Sequence, residues 1–188
     1  MDEPELIRRA RQGDGAAWEA LVLAHQEGAF RFAYLFLGDA GQAEDVAQEA
    51  FIRAFRSLER FDSNRSFRPW LLSITANLAK NQRRSIYRYL SAIGRLGRET
   101  SGSEDGLERG ILNRLDSQTL WQAVRQLDPN DQQIIYLRYF LDLSVAETSE
   151  SLGVAEGTVK SRLHRALGRL RSIIERNFPG LQEQFEME

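Results

Sequence analysis

At 188 residues, with 42% hydrophobic and 28% charged residues and a net charge of −2, the chain has the composition of a soluble globular protein of one or two domains, and its total charge gives no hint of nucleic acid. It has no cysteine and only two histidines, His25 and His164, which excludes disulfides and thiolate metal sites, so no metal or other cofactor is expected. The charged start MDEPELIRRARQGDG lacks the apolar core of a signal peptide, and the runs LVLA and FAYLFL are too short to span a bilayer; a cytoplasmic protein with no membrane insertion is expected.

Apolar residues recur at spacings of three and four and β-branched alternation is absent, so the fold is expected to be all-α. A short helix over 4–11 leads to the turn Gly13-Asp14-Gly15, where Asp14 can cap a second helix over 16–37. The break Gly38-Asp39-Ala40-Gly41 precedes a third helix over 42–60. Ala47, Phe51, Ala54, Phe55 and Leu58 form its core stripe, while Asp45, Gln48, Glu49 and Ile52 share a second face. Acid, amide and one aliphatic together suit a partner-docking surface, or simply a solvated one.

A polar loop, Asp62-Ser63-Asn64-Arg65-Ser66, follows between Phe61 and Phe67. Ser66 can cap a fourth helix from 67 to about 89, in whose first turn Pro69 is tolerated. Phe67, Trp70, Leu71, Ile74 and Leu78 are its inward residues, with Ser73, Asn77, Lys80 and Arg84 in a polar strip beside them. No acid occurs from Phe67 to Arg98. A polar loop at the head of a basic helix, with aromatics nearby, suits unpaired bases on a charged track, although aromatics so placed more often belong to a core.

The stretch SAIGRLGRETSGSEDGLERG, with its glycines, serines and acids, reads as a flexible linker. Helices resume near Leu115, at Pro129 and at Ser144. Ser144 and Glu147 have the spacing of a capping box, Gly153 can end the short helix they start, and Val154 is the apolar residue of the turn. The next helix turns Val159, Leu163, Ala166, Leu167 and Leu170 inward and presents Thr158, Ser161, His164 and Arg165, flanked by Lys160, Arg162 and Arg169. That is a helix-turn-helix with a basic second helix. Such a helix fits the major groove, where arginine can bond two guanine acceptors and flanking cations rest on phosphates. The whole is expected to be two small helical domains joined by a flexible linker, the second containing the helix-turn-helix.

The motifs AEDVAQEAFIRAFRSLERFD, FRPWLLSITANLAKNQRR and LDPNDQQIIYLRYFLDLSVAETSESLGVAEGTVKSRLHRALGRLR, in this order over nearly the whole chain, resemble bacterial RNA polymerase sigma factors of the extracytoplasmic-function class. The resemblance implies a region-2 domain over 1–90, a linker over 91–113, a region-4 domain over 114–178 and a short acidic tail over 179–188. It implies a promoter-specificity subunit, not an enzyme. Asp45, Gln48 and Glu49 would dock on the clamp coiled coil of the largest polymerase subunit, on the face that includes Ile52, and the second-largest subunit would also be a partner. The loop from Asp62 to Ser66, with Phe61 and Asn77, would hold a flipped base of the non-template −10 strand. Lys80, Asn81 and Arg84 would guide the neighbouring backbone, and Thr158 to Arg165 would read duplex −35 DNA. An anti-sigma factor is a further expected partner, one that could hold the chain at a membrane. Pro69, where many relatives carry threonine or serine, and the charge of Arg65 depart from the pattern. The competing expectation is a stand-alone helix-turn-helix regulator with an N-terminal sensing or dimerisation domain; no P-loop or nucleophile motif favours an enzyme.

Overall fold

The computed structural model describes residues 2–63, 65–94 and 115–178. Short polar side chains start four of its helices. Asp14 Oδ1 accepts from the N–H groups of Ala16 and Ala17 at 3.0 and 3.1 Å and opens α2 (Gly15–Leu37). Asp39 opens α3 (Ala40–Ser57) through the N–H of Gln42 at 2.8 Å. Asp128 opens α6 (Pro129–Ile135), and Ser144 opens α7 (Val145–Leu152). Each such cap supplies an acceptor to N–H groups that the helix itself cannot satisfy, for about 1 kcal/mol. Gly38 and Gly153, at φ of +71° and +65°, end α2 and α7 in the left-handed conformation. The remaining helices are α1 (Glu3–Arg11), α4 (Phe67–Gly94), α5 (Leu115–Arg125) and α8 (Glu156–Asn177). A 3-10 turn, Leu58–Arg60, follows α3, and α6 widens into a π turn over Tyr136–Phe140.

Helices α1 to α4 form a bundle. Leu6, Ile7 and Ala10 of α1 pack with Ala17 and Leu21 of α2, Ala50, Phe51 and Ala54 of α3, and Phe67 and Leu71 of α4. Glu3 clips the bundle at one end. Its carboxylate takes the N–H of Phe67 at 3.1 Å, at the start of α4 where Ser66 was the expected cap, and meets His25 Nε2 of α2 at 2.9 Å. Arg11 reaches the carbonyls of Leu58 and Phe61 and Ser63 Oγ, which fixes the chain leading into the polar loop.

The two halves of the chain share one core. Leu72, Ala76 and Ala79 of α4 belong to the same buried cluster as Trp121, Val124, Ile134, Tyr136, Leu137 and Leu143. Phe36 of α2 meets Tyr136 edge-on at 5.3 Å between centroids, and α7 packs on α4. The expected pair of helical domains is present, and in this structure the two are docked against each other. The proposed linker over 91–113 falls outside the described residues except at 91–94, which extend α4, and the acidic tail over 179–188 lies outside them as well. Two residues assigned to the core are exposed: Phe55, at 52%, lies against Trp18, and Leu167, at 37%, sits on the outer side of α8.

Two outcomes test this core. Tyr136 is fully buried between Phe36, Trp121 and Phe140, and its Oη meets no hydrogen-bonding group. Burial pushes its phenol well above the usual range. Tyr136→Phe removes an unsatisfied hydroxyl while keeping the ring, so urea unfolding is expected to show a gain of up to about 1 kcal/mol. The Glu3 carboxyl is held below the ordinary carboxylate value by the hydrogen bond to His25, against an opposing push from burial. Its contribution is present above the ordinary carboxylate range and is lost as pH falls through the lowered value. Glu3→Gln is expected to cost about 1 kcal/mol at neutral pH and to flatten the acid side of a Tm-versus-pH curve.

Candidate nucleic-acid and partner interfaces

The outer face of α3 is open. Asp45 and Gln48 are exposed, Glu49 is half-buried and accepts from Arg53 Nε at 2.7 Å, and Ile52 is 45% exposed. Phe55, one turn beyond Ile52, extends the apolar part of this face, with its inner edge on Trp18 at 5.1 Å. Spacing placed it in the core stripe, but position 55 lies at the stripe's border and faces out.

The polar loop and α4 carry the second set. Asp62, Ser63, Arg65 and Ser66 are exposed, and Asn64 lies outside the described residues. Phe61 is not a surface platform: it is 5% exposed, with its ring 4.5 Å from that of Trp70 and 5.9 Å from that of Phe67. It anchors the loop from below, because an aromatic bordered by apolar rings gains more from burial than from water. Along α4, Asn77, Asn81 and Arg84 form one exposed strip, which Arg88 continues at the same spacing.

Lys80, expected on that strip, is turned aside and half-buried. Its ammonium donates to Asn130 Oδ1 at 2.9 Å and Gln133 Oε1 at 2.5 Å, both on α6. Arg83 donates to Gln132 Oε1 at 2.6 Å and lies over the Phe36 ring at 5.6 Å. Burial lowers the pKa of both cations, and for Lys80 the nearby charges of Arg83 and Arg162 add to it while Asp128 opposes it. Arg83 and the 74% exposed Tyr87 were not singled out from the sequence. Arg83 stood next to Arg84 in the acid-free run, but its partner lies on a helix 49 positions away.

In the C-terminal half the capping box is complete: Glu147 N–H donates to Ser144 Oγ at 3.1 Å, and Ser144 N–H donates to Glu147 Oε2 at 2.7 Å. The N–H of Ser144 holds the Glu147 carboxyl below its ordinary value, against burial. Val159, Ala166 and Leu170 seat α8, and its N-cap Ala155 makes no side-chain cap. Lys160, Ser161, Arg162, His164 and Arg165 are exposed together, while Thr158 is half-buried. Arg169 is held by carboxylates at the start of α6, at 3.6 Å from Asp128 and closer to Asp131. Neutralised in this way, it departs from the expected role of flanking cation.

The sequence that builds these surfaces matches a known family. Residues 21–89 match the model of Sigma-70 region 2 and residues 117–170 that of Sigma-70, region 4. The ECF RNA polymerase sigma factor SigW of Bacillus subtilis is 33% identical over 179 residues, covering 88% of this chain and 92% of the relative. The chain belongs to the ECF RNA polymerase sigma factors. SigL of Mycobacterium tuberculosis is 34% identical, covering 90% of this chain and 95% of its own. The fold is also that of CnrH, solved with the cytosolic domain of CnrY, at a TM-score of 0.69 and 24% identity over 93% of this chain and 98% of that one. RpoE of Bartonella quintana, solved with the anti-sigma factor NepR, aligns at a TM-score of 0.63 and 23% identity over 85% and 97%. This sigma factor is accordingly a promoter-specificity subunit that directs transcription initiation, not a stand-alone regulator.

Within α8 the sigma factor's Arg165 lies opposite the Val159 and Leu170 face, and Lys160 lies at its flank. A base-contacting arginine is worth roughly 1–3 kcal/mol and carries sequence preference, whereas a phosphate contact weakens all sequences alike. Arg165→Ala is expected to relax discrimination at one position of a −35 single-base promoter library. Lys160→Ala should lower transcription from every member by a similar factor.

Proposed function

We propose that this sigma factor docks on core RNA polymerase through Asp45, Gln48, Glu49 and Ile52 of α3, reads single-stranded −10 DNA along α4 and its loop, and reads duplex −35 DNA with α8. The observation that carries the reading is the separation of these surfaces. The mixed acid, amide and apolar face is on α3, an acid-free strip of Asn77, Asn81, Arg84 and Arg88 is on α4, and an exposed basic cluster is on α8. An acidic patch and two basic ones on different helices allow a protein partner and DNA to be held at once.

The division of labour follows from side-chain chemistry. Asn77 and Asn81 can donate to and accept from an unpaired base edge, and Arg84 and Arg88 can sit on phosphates beside it. The buried Phe61 fixes the loop's height over α4 rather than stacking on a base. On α8, Ser161, His164 and Arg165 face the groove, with Lys160 and Arg162 toward its phosphate walls. The DNA-reading units would be 1–90 and 114–178, acting in the cytoplasm and without chemistry of their own. CnrH and RpoE, solved with CnrY and NepR, support an anti-sigma factor as a further partner.

The test is co-purification with core polymerase followed by run-off transcription on a genomic library. Replacing Asp45, Gln48 and Glu49 by alanine should leave helicity and Tm within a few degrees of the parent, since solvent-facing changes usually shift stability by no more than about 0.5 kcal/mol. Binding to core polymerase should fall at least tenfold. Parent-like affinity in the triple variant would remove the docking assignment.

A further inference from the structure

The polar loop between Phe61 and Phe67 is held at both ends by one short helix, α1. At the loop's entry, Arg11 spreads over three acceptors. Its Nε donates to the Leu58 carbonyl at 2.9 Å, Nη1 donates to Ser63 Oγ at 2.9 Å, and Nη2 donates to the Phe61 carbonyl. At the exit, Glu3 accepts from the Phe67 N–H at 3.1 Å, and His25 Nε2, 2.9 Å from the other carboxylate oxygen, fixes how that carboxylate is turned. The His25 ring lies in turn 5.2 Å from that of Phe67. Helix α1 is a firm base for both contacts, because Leu6, Ile7 and Ala10 are buried in the bundle core. Between the two clamps the chain turns once, with the Arg65 N–H donating to the Asp62 carbonyl at 3.0 Å, and leaves Ser63, Arg65 and Ser66 exposed. The match to Sigma-70 region 2 begins at residue 21, inside α2, so both clamping residues lie outside it.

We propose that α1 is a splint for this loop, and that Arg11 and Glu3 are positioning residues for base discrimination on the −10 strand without touching DNA themselves. This rests on the reading of the loop and α4 given above. A surface loop of polar residues buries little, so its shape is decided by what holds its ends. A guanidinium carries its N–H donors in a rigid plane, so Leu58, Phe61 and Ser63 can satisfy Arg11 together in one arrangement of the loop's entry. One of those three acceptors, Ser63 Oγ, belongs to the reading surface. Held in place by Arg11, it still has its own proton to give to a base. Loosening the splint therefore falls on recognition rather than on attraction. Arg84 and Arg88 of α4 are exposed and would still hold the backbone of any strand, whatever its sequence. If the loop keeps its reading shape only about one-tenth of the time, affinity for the preferred strand falls about tenfold, and affinity for the others hardly changes.

The probe is a single-stranded DNA library randomised across the −10 window, captured on the full chain assembled with core polymerase and then sequenced. The parent should enrich one base strongly at one position. Arg11→Ala and Glu3→Ala should each lower that enrichment about five- to tenfold. The total amount of library captured and the affinity for core polymerase should stay close to the parent's. Arg11→Lys, whose compact ammonium cannot span three acceptors, should fall between parent and alanine variant. Glu3→Gln keeps an oxygen for the Phe67 N–H, so it should retain the parent's preference in spite of its lower stability; a Glu3 that acted through stability alone would lose both together. Ser63→Ala with Ser66→Ala, in the loop itself, separates the splint from the reading it rests on. Loss of preference in that variant but not in Arg11→Ala would overturn the splint. Loss in neither would overturn the reading of the loop, and the proposal with it. An equal drop in capture of every sequence by Arg11→Ala would make Arg11 a phosphate contact, and a matching loss of core-polymerase binding would make it a folding residue; either result overturns a positioning role. Circular dichroism verifies that each variant is folded, and Arg11→Lys keeps the test decisive if Arg11→Ala is not.

Discussion

The arrangement depends on how α4 is buried. A helix in a small bundle ordinarily hides one stripe and gives the rest to water. Here Phe67 and Leu71 satisfy the N-terminal bundle, and Leu72, Ala76 and Ala79 satisfy a core that continues into α6 and its π turn. Small residues at 76 and 79 let the neighbouring helices come close, so the polar strip of α4 is bounded on both sides by packed backbone. What remains is a narrow row of amides and arginines. The packing fixes the backbone from which that row projects, while its exposed side chains keep their rotamer freedom.

The same packing decides which cations are available. Lys80 and Arg83 have amide partners, and Arg68 and Arg65 have carbonyls. Arg84, Arg88, Lys160, Arg162 and Arg165 are exposed. The basic zones visible as runs in the chain are therefore each split by the fold into a structural part and a part that faces outward. Glu3 does comparable work at the other end of the bundle, where one carboxylate ties α1, α2 and the start of α4.

Local features were the most legible. The caps at Asp14, Ser144 and Glu147 and the stops at Gly38 and Gly153 are set by neighbours in sequence and lie where the pattern put them. The exposed faces of α3 and α8 were also readable, because period alone separates them from the core side. What could not be read was whatever depends on residues far along the chain. Lys80 fits the polar strip by spacing and leaves it because α6 arrives from the other half. Ala76 and Ala79 carry too little hydrophobic signal to mark a second buried face. Phe61 looked like a binding aromatic until Trp70 and Phe67 closed around it. Phe55 and Leu167 sit at the edge of their stripes, where a fraction of a turn decides between core and surface.

Arg169 has a consequence beyond its own helix. A bacterial chromosome offers on the order of 10⁶ or more competing sites to any protein with bare cations, and it can soak up a regulator present in few copies. By giving Arg169 to Asp128 and Asp131, the chain removes one cation from the end of α8 without losing it from the sequence. A duplex that meets this end of the helix therefore displaces fewer counterions, and the sequence-independent part of its attraction is weaker.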